Sequence, residues 1–553
     1  MLQTIISIQY LLILISVINT TVLSTKPHII HILADDLGWG ELGYHNPEAG
    51  SDIKTPNIDH LVKEGLELDR LYAEKICSPS RCSLQTGRLG IHVNVQNVFP
   101  EVHNPNDTIG GYQGIPLNMT GIAEKLHDAG YTTRAIGKWD IGMATEAHSP
   151  WSRGYESWLG YWHHSNDYWT QDETSCNFHP IKDLWRHNAT YSGPALDLQN
   201  GPSCTQDSQF PENEKCVFEE DILMDEVQRV IRSHDTSTPL FMFYSMHLVH
   251  MPLQIKEQLL EEFNFIDDKW RQLMHAMVYQ VDINVGLIVD ALKDSGLWDN
   301  ALVVFHSDNG GEIMAQLCGG NNWPLRGGKF SNFEGGIRVN GFITGGYLPT
   351  ERRGQRVEAI MSVADWYATY AHLAGLQEED WEDTRAAAAG LPPIDSHNCW
   401  PVLMGVPGEC REELPIGDTS SVKPNGDGDT LVGGLIRNGY KILVGAANKQ
   451  YLVGQDVLTA PLWPNTSFPP LTPELHPRVC GRTVENGCLF NIMDDPQETH
   501  SLATEKPALF FDMLRRIDEL QETVYSPIRG DKDPEACEQA IENGYYWGPW
   551  IET

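Results

Sequence analysis

Two pairs of neighbouring oxygen-bearing residues, Asp35-Asp36 and Asp308-Asn309, each close a short apolar run, and hard oxygen donors of this type suit Ca²⁺ or Mg²⁺ rather than zinc. Asp-Asp-Leu-Gly and Ser-Asp-Asn-Gly are also good turn sequences, so each pair taken alone has an ordinary structural reading. A third stretch, Cys77-Ser78-Pro79-Ser80-Arg81 with Leu84 and then Thr86-Gly87-Arg88, sets a thiol four residues before a guanidinium. In an exported chain such a cysteine is by default half of a disulfide. Lys138 and the histidines His247 and His250 add cationic or proton-transferring groups, again just beyond apolar runs.

The elements that must position these groups are legible from periodicity. Ile29 to Ala34 reads as a buried strand ending in two carboxylates; Tyr131 to Ile136 runs into Gly137-Lys138; Leu240 to Tyr244 runs toward His247 and His250; Ala301 to Phe305 runs into Ser307-Asp308-Asn309. Helical patterns lie between them: Thr55-Pro56 as N-cap and first turn before Ile58, Leu61 and Val62, a second from Ile122 to Leu126 stopping at Gly130, and a long stripe from Met274 to Leu292 before Gly296. Alternating strands and helices predict an α/β fold with a large, mostly parallel sheet flanked by helices on both faces. In such sheets ligands bind outside the carboxyl ends of the strands, where all four polar clusters gather. If a helix starts at Cys77, its N-terminus adds favourable potential for an anion.

Beyond about residue 380 the pattern changes. AAAAGLPP and VKPNGDGD read as connections, while GLIRNGYKILVG and CLFNIMDDP read as antiparallel strands. The expected organisation is a signal peptide over 1–25, a catalytic domain over 26–410 and a smaller α+β domain with an antiparallel sheet over 411–553.

Ile5 to Ile18 is apolar but too short to span a bilayer comfortably, which fits a cleaved signal, and no later run reaches membrane-helix length, so the mature form is expected to be free of the membrane. N-x-S/T sites at Asn106, Asn118, Asn188 and Asn465 agree with passage through a secretory lumen and with a secreted or lysosomal destination. Eleven cysteines leave one over; setting Cys77 aside leaves ten, enough for five bridges among Cys82, Cys176, Cys204, Cys216, Cys318, Cys399, Cys410, Cys480, Cys488 and Cys537, although parity alone does not select the spare thiol. A formal charge of −36 argues against nucleic-acid partners and anionic membranes.

The stretch from Cys77 to Arg88 carries the full signature of the formylglycine-dependent sulfatase family, and the chain resembles in particular its arylsulfatase B-like members. Further shared stretches are ADDLGWG (34–40), VHMPLQ (249–254), SGLWDN (295–300), SDNGG (307–311), GGNNWPLRGGKFSNFEGG (319–336) and WGPW (547–550). The resemblance implies an alkaline-phosphatase-like fold and oxidation of Cys77 to formylglycine by a formylglycine-generating enzyme. It implies one Ca²⁺ held by Asp35, Asp36, residue 77, Asp308 and Asn309, with Arg81, Lys138, His250 and Lys329 around the sulfate. A hydrated aldehyde has two hydroxyls on one carbon: the first attacks sulfur, and deprotonation of the second expels sulfate by C–O cleavage, which a serine could not do. The cations stabilise charge on the nonbridging oxygens, and His250 or Lys329 would protonate the leaving oxygen.

One position departs from the family pattern. Gly-Lys-Trp-Asp-Ile-Gly at 137–142 places Asp140 where the family has a histidine acting on the second hydroxyl. A carboxylate can accept that proton, but it also brings negative charge toward a sulfate. The main expectation is hydrolysis of an aryl, small-metabolite or sugar sulfate, with the net charge favouring small substrates over polyanions. The alternative is a weakly active or inactive sulfatase-like binding protein. A two-metal phosphatase or phosphodiesterase would need more His and Asp ligands at the strand ends. Tyr161-Trp162-His163-His164 with Tyr168 and Trp169 could form a stacking wall, but loop packing is the commoner fate of such a stretch; His247 and His500 read as structural and solvated, respectively.

Overall fold

The computed structural model describes residues 26–46, 52–176, 179–198, 204, 216–313, 318–419, 429–446 and 479–552. The expected signal segment 1–25 and Asn465 lie outside these residues, as does nearly all of VKPNGDGD. Ten strands form the main sheet: β1 (His28–Ala34), β2 (Leu66–Leu68), β3 (Thr132–Gly137), β4 (Ser157–Gly160), β5 (Trp185–Asn188), β6 (Tyr191–Pro194), β7 (Leu240–Ser245), β8 (Ala301–Ser307), β9 (Gly341–Thr344) and β10 (Gln355–Val357). Their spatial order is β6-β5-β4-β3-β7-β1-β8-β9-β2-β10.

The centre, β4-β3-β7-β1-β8, is entirely parallel, and β1 pairs with β8 along its whole length from His28↔Ala301 to Ala34↔Ser307. The flanks depart from the parallel expectation: β9 runs antiparallel to both β8 and β2, and the β5–β6 hairpin is antiparallel to itself and to β4. The sheet is therefore mixed, with a parallel core.

Alternation along the central strands sorts their side chains into two cores. Ile29, Leu33, Ala135, Phe241, Phe243, Leu302 and Val304 pack on one face with α1 (Cys77–Thr86) and Trp366, Tyr367 and Tyr370. Ile30, Ile32, Ile136, Met242, Tyr244, Val303 and Phe305 face the other way, against α2 (Glu219–Ser233) and α3 (Lys269–Asp294). The long apolar stripe of α3 is thus spent on the second core, and its N-terminus is capped by Asp268, which accepts from the backbone N–H groups of Trp270 and Arg271.

A third core underlies a four-stranded antiparallel sheet, β11 (Glu413–Thr419), β12 (Thr430–Arg437), β13 (Tyr440–Leu443) and β14 (Cys488–Asn491), covered by α4 (Pro507–Gln521). Asn438-Gly439, with φ of 53° and 75°, makes the two-residue turn that GLIRNGYKILVG encodes. AAAAGLPP is not wholly irregular: it opens inside a short helix, Thr384–Ala388.

Four disulfides are formed, Cys176–Cys537, Cys204–Cys216, Cys399–Cys410 and Cys480–Cys488. Ten cysteines are enough for five bridges, and four are made. Cys82 and Cys318 remain buried thiols, the first turned into the main core from α1 and the second against the sulfur of Met251 at 3.4 Å. Among the described residues no helix is long and apolar enough to cross a membrane.

Candidate active site

All four polar clusters sit where the parallel strands end. Asp35 and Asp36 follow β1, Lys138 follows β3, His247 and His250 follow β7, and Asp308 and Asn309 follow β8. The strand ends approach closely enough that Gly137 has to be glycine: with φ of 91°, a Cβ there would meet the Ser245 carbonyl oxygen at 1.8 Å. α1 begins at Cys77 and lowers its first turn into the same space, with its thiol only 1% exposed.

The Cys77 Sγ lies 3.4 Å from Asp35 Oδ1 and 3.9 Å from Asp36 Oδ1. Arg81, one turn further along α1, donates from Nε and Nη2 to Asp308 Oδ2 at 3.0 and 2.7 Å, and from Nη1 to the Ser245 hydroxyl. Lys138 donates to Asp35 Oδ2 at 2.7 Å, and Lys329 to Asp36 Oδ2 at 2.6 Å. Asn309 Nδ2 donates to Asp36 Oδ1 at 2.7 Å. Three cations are thereby interleaved with Asp35, Asp36 and Asp308 in a buried cluster.

Ligand atoms of Asp35, Asp36, Cys77 and His250 all lie within 4.8 Å of one another. The buried Oδ1 of Asn309 has no hydrogen-bond partner. An unsatisfied amide oxygen beside several carboxylates is the donor set a hard divalent cation uses, so the residues present fit Ca²⁺. Burial and the neighbouring Asp308 push Asp35 up to about 8, a penalty for ionised carboxylates that a cation would relieve.

The tautomer of His250 follows from its partners. Its Nδ1 donates to the Met251 carbonyl at 2.7 Å, leaving Nε2 to accept from Lys329 Nζ at 3.0 Å. Burial, with Lys329 alongside, holds the ring well below the ordinary histidine range, and Lys329 is the proton-bearing member of the pair. Lys329 also faces Glu312 Oε2 at 3.8 Å.

Asp140 is fully buried, with φ of 56°, in the left-handed region that aspartate tolerates better than most residues. Its Oδ2 accepts from the Ser78 hydroxyl at 2.9 Å and lies 3.7 Å from Lys138 Nζ, while its Oδ1 is 2.8 Å from His164 Nδ1. Asp36 and Phe330, the latter adjoining Lys329, also have positive φ, of 61° and 70°. Strained backbone gathers here as it does at functional sites.

The residues given catalytic or metal-binding roles from the sequence lie in this one cluster: Asp35, Asp36, Cys77, Arg81, Lys138, Asp140, His250, Asp308, Asn309 and Lys329. Sequence reasoning gave no role to Ser78, quoted only as part of the Cys77 motif, or to Ser245, whose hydroxyls join the network, and left His164 in a stretch read as loop packing before a stacking wall. Of that stretch, Tyr161, Trp162, Tyr168 and Trp169 are buried packing residues, and His247 is stacked on Tyr168 with Nδ1 2.8 Å from Glu219. His500 is exposed beside Glu505.

The chain is similar in sequence and fold to known proteins. The family profile described as Sulfatase matches residues 27–376. Mouse (Mus musculus) arylsulfatase J is 30% identical over 546 residues, covering 96% of this chain and 81% of that protein, and human (Homo sapiens) arylsulfatase A is 30% identical over 411 residues, 70% of each. The crystal structure of Ps i-CgsB aligns with a TM-score of 0.67 at 26% identity, over 94% of this chain and 98% of that one. A profile that takes in the strand ends, α1 and the Lys329 loop accounts for the whole cluster at once, and on that ground the chain belongs to the sulfatase family of sulfuric ester hydrolases.

Proposed function

We propose that the protein cleaves sulfate from a sugar or aryl sulfate ester at this cluster, with residue 77 in the formylglycine form and one Ca²⁺ bound. The observation that carries the reading is the placement of Cys77: the first residue of a helix, facing Asp35 and Asp36, with Arg81, Lys138 and Lys329 converging on the same carboxylates. Burial, with Asp308 and Asp35 close by, pushes the Cys77 thiol up, so a free thiolate is a poor candidate for the nucleophile here. As the hydrated aldehyde, residue 77 would supply one hydroxyl to attack sulfur and a second whose deprotonation releases sulfate.

Asp35, Asp36, Asp308 and Asn309 would hold the cation, which screens the carboxylates and polarises the reacting oxygens. Arg81 is fixed by Asp308 and Ser245 before any substrate arrives, so its charge needs no reorganisation when negative charge builds on the sulfuryl oxygens. Lys138 and Lys329 flank the thiol position from two different loops and would bind the remaining oxygens. Since His250 Nε2 is an acceptor toward Lys329, Lys329 is the group positioned to give a proton to the leaving oxygen. Asp140 would take the proton of the second hydroxyl, and Ser78 fixes the orientation of its carboxylate.

A sugar substrate is supported by the relatives: one is named N-acetylgalactosamine-6-sulfatase, and Ps i-CgsB was solved with a neocarrahexaose. The net charge of −36 favours small or sparsely sulfated esters over polyanions. Four disulfides and the exposed Asn106 of an N-x-T site support a route through the secretory pathway.

A second reading, a sulfate-binding protein with little turnover, is favoured by one observation. Burial tends to raise Asp140, but His164 and Lys138 hold it well below the usual carboxylate range, which makes it a weak proton acceptor. Turnover of a chromogenic aryl sulfate by the purified protein, beside Asp140→His, separates the two. Activity in the parent supports the enzyme; an inert parent with a functional Asp140→His variant supports the binding protein.

A further inference from the structure

Asp140 brings a further carboxylate beside the sulfate pocket, and none of the three cations described so far makes its closest contact with it. Arg81, Lys138 and Lys329 make their closest ion pairs with Asp308, Asp35 and Asp36, at 2.7, 2.7 and 2.6 Å, and Lys138 stands 3.7 Å from Asp140. His164 stands against this extra charge. Its Nδ1 is 2.8 Å from Asp140 Oδ1, and its side chain is 23% exposed, so it lies between a fully buried carboxylate and the outside.

The backbone presets the pairing. Trp139 N–H donates to the Tyr161 carbonyl at 2.9 Å and Asp140 N–H to the Trp162 carbonyl at 3.1 Å, laying the two segments side by side beyond the ends of β3 and β4. Asp183 then fixes the second segment by accepting from the N–H groups of Trp162 and His163. Phe99 meets the His164 ring edge-on, with centroids 5.1 Å apart, and limits its rotation. The Nε2 of His164 is buried and has no hydrogen-bond partner, so no other carboxylate competes with Asp140 for this ring among the described residues.

We infer that His164 is a positioning residue that pairs through Nδ1 with Asp140 and offsets its repulsion for bound sulfate, leaving Lys138 to serve Asp35 and the substrate. The inference rests on the sulfatase reading and adds to it a residue that touches neither substrate nor metal. Asp140 and His164 then work as one unit: the aspartate is tolerable at this position because the histidine is there. Burial and the pull of His164, Lys138 and Arg81 on Asp140 agree with this, the net effect holding the carboxylate ionised.

The test uses inorganic sulfate as the probe and calorimetry on the purified, calcium-loaded protein, comparing the parent with His164→Gln, Asp140→Asn and the double variant. Glutamine keeps a donor toward Asp140 and cannot carry a positive charge. His164→Gln is expected to weaken sulfate binding about 10- to 100-fold, and Asp140→Asn in the same chain to restore it to within about threefold of the parent. With an aryl sulfate, KM should rise more than kcat falls in His164→Gln. A His164→Gln protein that binds sulfate within about twofold of the parent overturns the proposal, as does a double variant that stays weak. Should His164→Gln not fold, the same comparison is made between Asp140→Asn and Asp140→Asn/His164→Gln, where the proposal requires equal affinity. A parent that binds no sulfate at all overturns the sulfatase reading itself, an outcome distinct from parent binding that ignores His164.

Discussion

The ammonium of Lys441, on β13 of the small sheet, lies 3.1 Å from the carboxylate of Glu334, five residues beyond Lys329. Both side chains are fully buried, and the same ammonium is 3.0 Å from Glu498, whose Oε2 accepts from the Glu334 backbone N–H. A second tie runs in parallel: Lys75 pairs with Asp418 at 2.6 Å, and its carbonyl accepts from Phe330 N–H. The small sheet is thus attached to the two segments that flank the sulfate cluster, the one before Cys77 and the one carrying Lys329.

Removing one member of a buried pair leaves the other charge uncompensated. Lys441→Met is expected to cost about 3–5 kcal/mol in stability, read as a fall in Tm, because Glu498 then loses its ion pair and faces Glu334, whose remaining cation is Arg338 at 3.8 Å. A loss below about 1 kcal/mol would show that the contact is incidental.

Arg81 holds Asp308 through two nitrogens and Ser245 through a third, a fork that an ammonium cannot reproduce. Arg81→Lys is therefore expected to lower kcat/KM for an aryl sulfate by at least about 10²-fold with Tm little changed. Near-normal activity would mean that point charge alone suffices at this position.

The carboxylate cluster predicts linkage to a cation. Chelation should lower Tm, and Ca²⁺ at about a hundred times its dissociation constant should return on the order of 3 kcal/mol. An Asp36→Asn protein should show a smaller calcium-dependent shift. Identical melting with and without chelator would remove the cation from the account.

His163 gives a pH dependence with a defined sign. Burial lowers it, but Glu173 and Asp183, the latter 2.8 Å from Nδ1, hold it up to about 9, against 6.5 in the unfolded chain. Its contribution is fully present below about 6.5 and is lost as pH rises toward 9, a change on the order of 3 kcal/mol. Tm should fall between pH 7 and 9 in the parent, and this slope should flatten in His163→Gln. Parallel slopes in the two proteins would refute the assignment.

The parallel centre of the sheet was legible because β1, β7 and β8 are largely apolar, fully buried strands and β3 ends on the buried Ala135-Ile136-Gly137, each leading into a polar cluster. The antiparallel flanks were not, since strands such as Trp185–Asn188 are short, half-buried and polar, with no periodic signal. Within the site, Cys77 and Arg81 share one contiguous motif and the aspartates share strand ends, so their meeting followed from the sheet. His164 was visible as a residue but not as a partner of Asp140, because the two are joined across neighbouring strand ends, a relation that spacing in the chain does not encode. Parity allowed up to five disulfides, and it does not register that Cys82 is turned into the core and Cys318 against Met251.

The proposed reaction requires residue 77 to act as a geminal diol rather than a thiol. Mass spectrometry of the peptide spanning residues 77 to 81, from catalytically active protein, tests it most directly. Formylglycine should appear about 18 Da below the cysteine form. Recovery of residue 77 as an unmodified thiol in active material would contradict the claim.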